Sequence, residues 1–487
     1  MAEDKVEDVH MKDAEEVNSS ITEAENLVKE IEQSFTLLGK AATSFDNRYI
    51  SKVFRDLGPL RRKLVQNETV LPTVIKGLYP HQHSSRMYLL QLVGEEEGGD
   101  NVNKQSDDEM DVDKSIIPEV ELYVHLLVQV YLLDKEKLTE LNQLSDIVIN
   151  LMKSFNKRSL DFIQAKVWFY VCRVKELLGD LQSVRAALLY GLRTATLRHD
   201  IETTASIITL LLRNYLLSHD ISQASNLVEK VEFPENAGNA LVARYYYYLA
   251  RINAIQLDYS TAHECVIAAI RKAPQTHLSN GFVQAATKLN IVIELLMGDI
   301  PELKTFKNKS GNFEPYFYVT KAVKLGDLNL FSEALKKYES AFKKDDNFTL
   351  VSRLRQNVIK TGIRIISLSY SRISLKDICI KLHLDSEEST EYIVSKAIRD
   401  GVIEATINHQ KGYMQSNELL DVYSTKLPQS EFDQRIKFCL ALHNESVKSM
   451  RYPNDNDKEN INKEVEPSEE IELLKAIEEG DLDDFMD

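Results

Sequence analysis

A helical repeat built around small residues is the feature that most constrains how this chain folds. In the clearest copy, which begins at Asp258, Ala262 is followed by Val266, Ala269 and Pro274 at intervals of four, three and five residues. Such intervals keep these side chains on one face of a helix. Small residues on that face allow a second helix to approach closely. The pattern therefore predicts a closely packed helical hairpin.

Further copies of the pattern indicate a stack of such hairpins. One copy places Ala334, Tyr338 and Ala341 at the same intervals, and a fainter copy around Ala224 lies 38 residues before Ala262. A lone hairpin cannot cover its own apolar face, so repeats of this length stack into a solenoid. We therefore predict a mostly α-helical fold built on a TPR-like helical-repeat solenoid.

Short turns punctuate the region from Pro118 to Asp346 and support this prediction. Each turn supplies a residue that tolerates the left-handed conformation or can cap the next helix. The turns are Gly179-Asp180, His199-Asp200, His219-Asp220, Gly298-Asp299 and Gly326-Asp327. We expect no β-strand in this region.

The pattern changes after Asp346. A helix over 351–367 is followed by a short strand, and Ser374 can cap a helix over 375–382. Ser386 can cap a further helix that runs to residue 400 and stops at Gly401. Alternating residues over 402–408 and 411–415 then predict a β-hairpin. This order of elements is that of a winged helix.

A single helix follows the winged helix. Its apolar stripe has the four-three spacing of a coiled-coil seam and consists of Phe432, Ile436, Cys439, His443, Val447 and Met450. Since the preceding domain is already complete, we predict that this stripe packs in a bundle with helices of other chains.

Negative charge is concentrated in three segments outside the predicted folded parts. The chain has a net charge of −16, whereas residues 1–16, 94–114 and 454–487 carry −5, −7 and −11, which leaves about +7 on the rest. Such acidic tracts bury too little apolar surface to become ordered. We predict seven segments: an acidic disordered N-terminus (1–19), an N-terminal helical segment with breaks near Pro59 and Pro80 (20–93), an acidic disordered linker (94–114), the solenoid (115–347), the winged helix (348–427), the bundle helix (428–452) and an acidic disordered tail (453–487).

Sequence motifs give no candidate for catalysis, for a metal or for a cofactor. The chain has no phosphate-binding loop, nucleophile elbow or zinc-binding helix motif. His81 and His83 are the one metal-like pair, but the deubiquitinase zinc pattern needs a serine and an aspartate where Gln91 and Gly94 stand. We therefore expect no enzyme activity.

Cysteine spacing indicates a reducing compartment, and hydropathy indicates a chain without a membrane span. The four cysteines are far apart, which predicts buried free thiols. The most apolar stretch, 122–133, is too short to span a bilayer. We expect the protein to be neither secreted nor embedded in a membrane.

A solenoid that leads into a winged helix resembles the PCI family, which includes scaffold subunits of the proteasome lid, the COP9 signalosome and a translation initiation factor. Within that family, the chain is similar to PCI subunits of the 26S proteasome regulatory particle lid. The resemblance is carried by ARYYYYLARINAIQLDYSTAHECVIAAIRKAP (243–274), LLMGDIPEL (295–303), YVTKAVKLGDL (318–328), RLRQNVIKTGIRIISLSY (353–370), ISLKDICIKLHLDSEESTEYIVSKAIRDGVIEATINH (373–409) and SMRYP (449–453).

This resemblance implies a non-catalytic scaffold in a hetero-oligomeric complex of the cytoplasm and nucleus. Expected partners are other PCI lid subunits, the lid deubiquitinating subunit and a small acidic lid protein. PCI subunits of this kind associate through their winged helices, and their C-terminal helices gather in a bundle. The open edge of the small sheet could be extended by a neighbouring module through main-chain pairing. The candidate interface residues at the winged helix are Arg399, Ile403, Glu404, Ala405 and Ile407.

Two alternatives remain open. The chain could be a scaffold subunit of the signalosome or of the initiation factor. In a different class, the basic residues Lys360, Arg364, Arg372, Lys376 and Lys381 could bind RNA. The helix that would enter a groove of nucleic acid is net negative, which disfavours contact with phosphates. We therefore expect no specific nucleic-acid partner.

The tyrosine run 245–248 has two possible roles. It could form a stacking platform for bases, but successive helical positions point in different directions, so at most two rings can share a face. Packing in the core and groove of a solenoid explains the run better.

Overall fold

The computed structural model describes residues 4–44, 46–80, 83–94, 116–155, 157–307, 313–384, 386–417 and 422–450. The chain divides into two compact units. One comprises Met1–Ser369 with Ser374–Ile403, and the other comprises Tyr370–Ile373 with Glu404–Asp487.

The first unit opens with four helices. Their bounds are α1 Asp4–Ser44, α2 Asn47–Gln66, α3 Val70–Leu78 and α4 Ser84–Val93. Leu27, Ile31 and Leu38 of α1 are buried in the same apolar core as residues of α2 to α4. The spacing of these residues places them on one face of α1 and explains why that face packs inward.

The N-terminal boundary differs from the sequence prediction. We predicted disorder over residues 1–19, whereas the backbone of α1 is helical from Asp4. A helix that already continues to Ser44 is extended at little cost, because its nucleus exists.

The predicted break near Pro59 is wrong. Helix α2 runs through Pro59 without interruption. A proline inside a helix removes one hydrogen bond and costs about 3 kcal/mol. Burial of Ile50, Val53, Leu57 and Leu60 on one face of α2 offsets that cost. The second predicted break is confirmed, since α3 ends at Leu78.

The predicted acidic linker falls on residues that the structure does not describe, apart from Gly94. Gly94 ends α4 in the left-handed conformation, with φ 100°. The acidic tail over 453–487 also lies outside the described residues.

Successive helices then form the body of the first unit. Their bounds are α5 Pro118–Asp134, α6 Leu138–Ser154, α7 Asp161–Leu178, α8 Ser183–Arg198, α9 Ile201–Leu217, α10 Ile221–Lys230, α11 Asn239–Ile255, α12 Tyr259–Lys272, α13 Asn280–Met297, α14 Leu303–Phe306, α15 Glu314–Leu325, α16 Leu328–Lys337, α17 Glu339–Lys344 and α18 Phe348–Arg353. Among the described residues of this region there is no strand, and the predicted helical repeat is confirmed.

The small residues of the repeat lie where the pattern places them. Ala262, Val266 and Ala269 of α12 are fully buried, and α12 packs against α11 and α13. In a second repeat, Ala334 of α16 is buried and Phe331 beside it belongs to the same core. Close packing of this kind lets each hairpin bury its face on the next.

The turns between helices also have the predicted conformations. Gly179, His199, Gly298 and Gly326 all have positive φ angles between 55° and 105°. Asp200 then caps α9 by accepting a hydrogen bond from the Thr203 amide, 3.1 Å away. Because both signals are local, they could be read from the sequence.

Three further helices complete the first unit. They are α19 Arg355–Ser369, α20 Leu375–Leu382 and α21 Glu387–Arg399. The second unit contains the strands β1 Arg372–Ser374, β2 Ala405–Asn408 and β3 Tyr413–Ser416, followed by helix α22 Leu427–Met450. Ser374, the last residue of β1, belongs to the first unit. The order α19, β1, α20, α21, β2, β3 is the predicted order of a winged helix.

No helix among the described residues has the length and apolar character needed to cross a membrane.

Candidate partner-binding surfaces

Caps fix the two helices that would face a partner in a winged helix. The Ser374 hydroxyl accepts a hydrogen bond from the Asp377 amide at 3.1 Å, which starts α20. The Ser386 hydroxyl accepts one from the Ser389 amide at 3.2 Å, which starts α21. Gly401, with φ 70°, follows the end of α21. Each of these residues acts as the sequence predicted.

Two of the five basic residues that suggested RNA binding, Lys360 and Lys376, have acidic partners. The Lys360 ammonium lies 3.0 Å from the Asp400 carboxylate, and the hydrogen bond lowers the pKa of Asp400. Lys376 lies 3.6 Å from Glu387. Arg364 is exposed on α19. These two lysines attract phosphates more weakly than unpaired cations would.

The small sheet of the second unit has an open edge. Its strand order is β1, β3, β2, so β3 is central and β2 is an edge strand. β2 runs antiparallel to β3, with Ala405 opposite Ser416 and Asn408 opposite Tyr413. The Arg372 guanidinium of β1 lies over the Tyr413 ring, 3.6 Å from its centroid. Within the described residues β2 pairs with β3 alone, which leaves main-chain groups on its other side.

The hairpin is shorter than the alternation of residues predicted. Its first strand begins at Ala405 rather than at residue 402, and its second strand begins at Tyr413 rather than at residue 411. The side chains of Ile403 and Ala405 are buried. A partner can therefore use the main chain of Ala405 but not its side chain.

The five interface candidates are divided between the two units. Glu404 precedes β2 and Ile407 lies within β2, where its side chain is half-buried. Arg399 is exposed at the end of α21, and Ile403 is buried, and both belong to the first unit. The edge strand thus contains two of the predicted residues, Ala405 and Ile407.

Helix α22 exposes five of the six residues of the predicted stripe. The side chains of Phe432, Ile436 and Met450 are 64%, 57% and 82% exposed, and no residue of α22 is buried. Cys439 and His443 are also exposed, and Val447 is half-buried. A helix with such a stripe gains free energy only when other helices cover it.

Further apolar residues of α22 lie off the predicted stripe. Phe438, Leu440 and Leu442 are each more than half exposed. Their positions show that α22 is apolar on more than one face, whereas the sequence was interpreted as a single stripe. The sequence already contained the evidence for this, as apolar residues between the stripe positions. A helix that is apolar on several faces fits a bundle in which it has several neighbours.

A groove of about 550 Å³ lies on the first unit. Helices α7, α9, α11 and α13 line it, and two rings of the tyrosine run, Tyr247 and Tyr248, face into it. Tyr245 instead stacks on Phe233, with ring centroids 4.2 Å apart. The run therefore serves packing and groove lining, as the sequence analysis favoured. The sequence did not reveal that residues of four separate helices meet here.

The metal-like histidines and the cysteines have structural roles where they are described. His83 caps α4 by accepting a hydrogen bond from the Ser85 amide, whereas His81 lies outside the described residues. Among the described residues no group of three or more side chains could hold a metal ion. The cysteines are free as predicted, but Cys172, Cys265 and Cys379 are only half-buried and Cys439 is exposed. Burial raises the pKa of Cys172 to about 12, which keeps this thiol unreactive.

Known protein families match most of the chain. Residues 23–320 match the family described as PSMD3-like, N-terminal TPR repeats. Residues 335–418 match the PCI domain, and residues 421–484 match the C-terminal family of the proteasome regulatory subunits. The chain belongs to the PSMD3-like family of proteasome regulatory subunits.

Curated relatives of this PSMD3-like chain are similar to it over most of their length. The probable 26S proteasome regulatory subunit rpn3 of Schizosaccharomyces pombe is 44% identical over 96% of this chain and 93% of its own length. The probable 26S proteasome non-ATPase regulatory subunit 3 of Anopheles gambiae is 45% identical, with 99% and 98% covered. The 26S proteasome regulatory subunit RPN3 of Saccharomyces cerevisiae is 42% identical, with 88% and 87% covered.

Proposed function

We propose that this chain is a non-catalytic structural subunit of the 26S proteasome regulatory particle lid and acts in ubiquitin-dependent protein degradation. Membership of the PSMD3-like family carries the proposal. The surfaces suit a scaffold: an edge strand with unused main-chain groups, and a C-terminal helix that exposes apolar residues on several faces.

Two contacts would hold the chain in the particle. The edge of β2 would pair with the sheet of a neighbouring PCI subunit, since main-chain hydrogen bonds give affinity without demanding particular side chains. Helix α22 would enter a bundle of C-terminal helices, where burial of its apolar residues stabilises the assembly. The lid deubiquitinating subunit and a small acidic lid protein would be further partners. The particle would work in the cytoplasm and nucleus.

The alternatives receive less support. The curated relatives described above are named as proteasome subunits, which favours the proteasome over the signalosome or the initiation factor. Ion pairs at Lys360 and Lys376 disfavour an RNA-binding regulator.

Affinity purification through an N-terminal tag, followed by mass spectrometry, tests the proposal. We expect lid and base subunits of the proteasome in fixed proportion to the tagged chain. Recovery of signalosome or ribosomal proteins in their place would show that the assembly is wrong. RNA that is released by salt and lost in Arg364→Glu would favour the RNA-binding alternative.

A further inference from the structure

The groove lined by α7, α9, α11 and α13 carries an excess of positive charge. Its lining contains four arginines, and Glu176 is the one carboxylate among the described residues there. Arg213 donates two hydrogen bonds to the Glu176 carboxylate, at 3.1 Å and 2.7 Å, and Arg173 donates a third, at 2.9 Å. Since one negative charge is shared by two guanidinium groups, the lining keeps an excess of three positive charges.

Two of these arginines flank tyrosine rings on one face of α11. Arg244 and Arg251 are seven residues apart, which places them on the same side of the helix and about 10 Å apart along its axis. Tyr247 and Tyr248 lie between them and line the groove. Arg251 lies 3.5 Å from half-exposed Asp346, whereas Arg244 is exposed and has no carboxylate within ion-pair distance in the described part of the chain. Arg244 therefore keeps its N–H donors available for a ligand.

Aromatic rings form the apolar part of the groove. The rings of Tyr247 and Phe282 meet edge to face, with centroids 5.5 Å apart. The Phe169 side chain is 37% exposed, and the Arg244 guanidinium carbon lies 5.8 Å from the centroid of its ring. Nucleobases of every kind stack on such rings, because each base has a π-face. The groove therefore combines a surface for a planar ring with cations for an anion.

The arginines approach the groove from three helices. Arg173 belongs to α7, Arg213 to α9, and Arg244 with Arg251 to α11. A carboxylate accepts hydrogen bonds through two oxygens in one plane, whereas a terminal phosphate presents three acceptor oxygens arranged around phosphorus. Guanidinium groups that arrive from several directions therefore suit a phosphate better than a carboxylate.

We propose that the groove binds a nucleoside triphosphate, with the base against the aromatic rings and the phosphates among the arginines. The volume of the groove, about 550 Å³, lies within the range of small-molecule sites, about 300–1,000 Å³. The several negative charges of a triphosphate match the excess of positive charge in the lining. No sequence motif indicates this site, because its residues come from four separate helices. The proposal concerns binding without a chemical step, and it does not depend on the proposed role in the proteasome.

Isothermal titration calorimetry on the isolated full-length chain tests the inference, with ATP as the probe. Adenosine and inorganic triphosphate represent the two parts of this probe. We expect ATP to bind about tenfold more tightly than either part, because the base and the phosphates contact different walls of the groove. Raising salt from about 0.1 M to about 1 M, where the Debye length falls from ~10 Å to ~3 Å, should weaken the binding of ATP and of inorganic triphosphate but not that of adenosine.

Two variants separate the contribution of charge from that of the rings. Arg244→Glu should weaken the binding of both ATP and inorganic triphosphate about tenfold, because a carboxylate then faces the phosphates. Phe282→Leu keeps an apolar side chain but removes a ring, so it should weaken the binding of ATP about fivefold and leave that of inorganic triphosphate unchanged. Arg193→Glu is the matched control: Arg193 is exposed on α8 outside the groove, so its reversal should leave every affinity unchanged. Circular dichroism checks that each variant folds.

Measurements on the parent chain decide the inference even if Arg244→Glu disturbs the fold. Absence of ATP binding, or equal affinities for ATP and inorganic triphosphate, would overturn it. Equal affinities for ATP in Arg244→Glu and Arg193→Glu would place the nucleotide elsewhere and would also overturn it. A peptide of glutamates that binds more tightly than ATP, and that loses affinity in Arg244→Glu, would assign the groove to an acidic segment of a protein partner instead.

Discussion

Two glycines allow a close contact between helices in the first unit. A β-carbon on Gly362 of α19 would lie 2.6 Å from Leu382 Cδ2 and 2.9 Å from the Gly326 carbonyl oxygen. A β-carbon on Gly326 would lie 2.6 Å from the Gly362 backbone, and Gly326 has φ 69°. The contact joins the last solenoid turns to the helices of the winged helix. No side chain fits between them.

We therefore expect Gly362→Ala to lower the free energy of unfolding by about 1–3 kcal/mol, the usual effect of overpacking. Gly326→Ala should cost more, because it adds backbone strain at a positive φ. Gly77→Ala is the matched control: Gly77 is exposed in α3, and a β-carbon there would meet no atom within 4 Å. Denaturant unfolding measures all three. Equal stability of Gly362→Ala and Gly77→Ala would contradict the packing.

The Asp161 carboxyl has an unusual pKa, which couples stability to pH. Burial raises this pKa to about 7, and the nearby charge of Asp200 adds to the effect, while Arg198 and Arg158 oppose it. The folded state therefore binds more protons than the unfolded state between about pH 4 and pH 7. Stability contributed by this residue falls as the pH rises through that window.

Replacement of the Asp161 carboxyl by an amide removes this loss of stability at higher pH. Asp161→Asn should raise the melting temperature at pH 8 relative to the parent chain and change it little at pH 4.5, where the carboxyl is protonated in the folded state. Thermal unfolding at several pH values provides the measurement. Asp146→Asn, at an exposed carboxylate of α6, is the control. A melting temperature for Asp161→Asn that is raised equally at both pH values would exclude the pH linkage.

At the scale of elements, edge strand β2 is the surface most open to test. Thr406→Pro and Ile407→Pro each remove one main-chain N–H donor from β2. Neighbouring residues of a strand direct their N–H groups to opposite sides, so only one of these two donors faces away from β3. The variant that lacks the outward-facing donor should keep its circular dichroism spectrum and lose most of its incorporation into the complex.

Gln410→Pro provides the matched control for β2. The Gly412 amide bonds to the His409 carbonyl, so Gln410 occupies the turn position at which proline is favoured. This variant should fold and assemble normally. If both strand variants fold and assemble as well as Gln410→Pro does, edge pairing does not hold the complex together.

Local signals explain why much of the fold could be predicted from the sequence. Ser374 and Ser386 cap helices, and Gly179 and Gly326 end them, because these effects depend on residues a few positions away. The helix through Pro59 could not be predicted, because burial of distant residues compensates the local cost.

The candidate site was less predictable than the fold. Strand order decides that β2 is an edge strand, and tertiary packing decides that Ile403 and Ala405 are buried. The groove depends on four helices that are separated in sequence. The family resemblance gave the class of surface, while the exposure of individual residues required the structure.

In the molecule as a whole, the residues that stabilise the fold differ from those exposed for contact with partners. Apolar cores hold the helices of the first unit together, whereas α22 keeps its apolar residues exposed. Substitutions on α22 should therefore affect assembly without affecting the fold. The role of α22 in assembly can therefore be tested without disturbing the fold.

The most direct test replaces the only cellular copy of the chain with Ile436→Asp, Phe438→Asp and compares particles by native gel electrophoresis. Gln434→Asp, at an exposed polar residue of the same helix, is the control. Intact 26S particles should be lost in the double variant and retained in the control, with equal levels of folded chain. Intact 26S particles that contain the double variant in normal amount would contradict a structural role for α22.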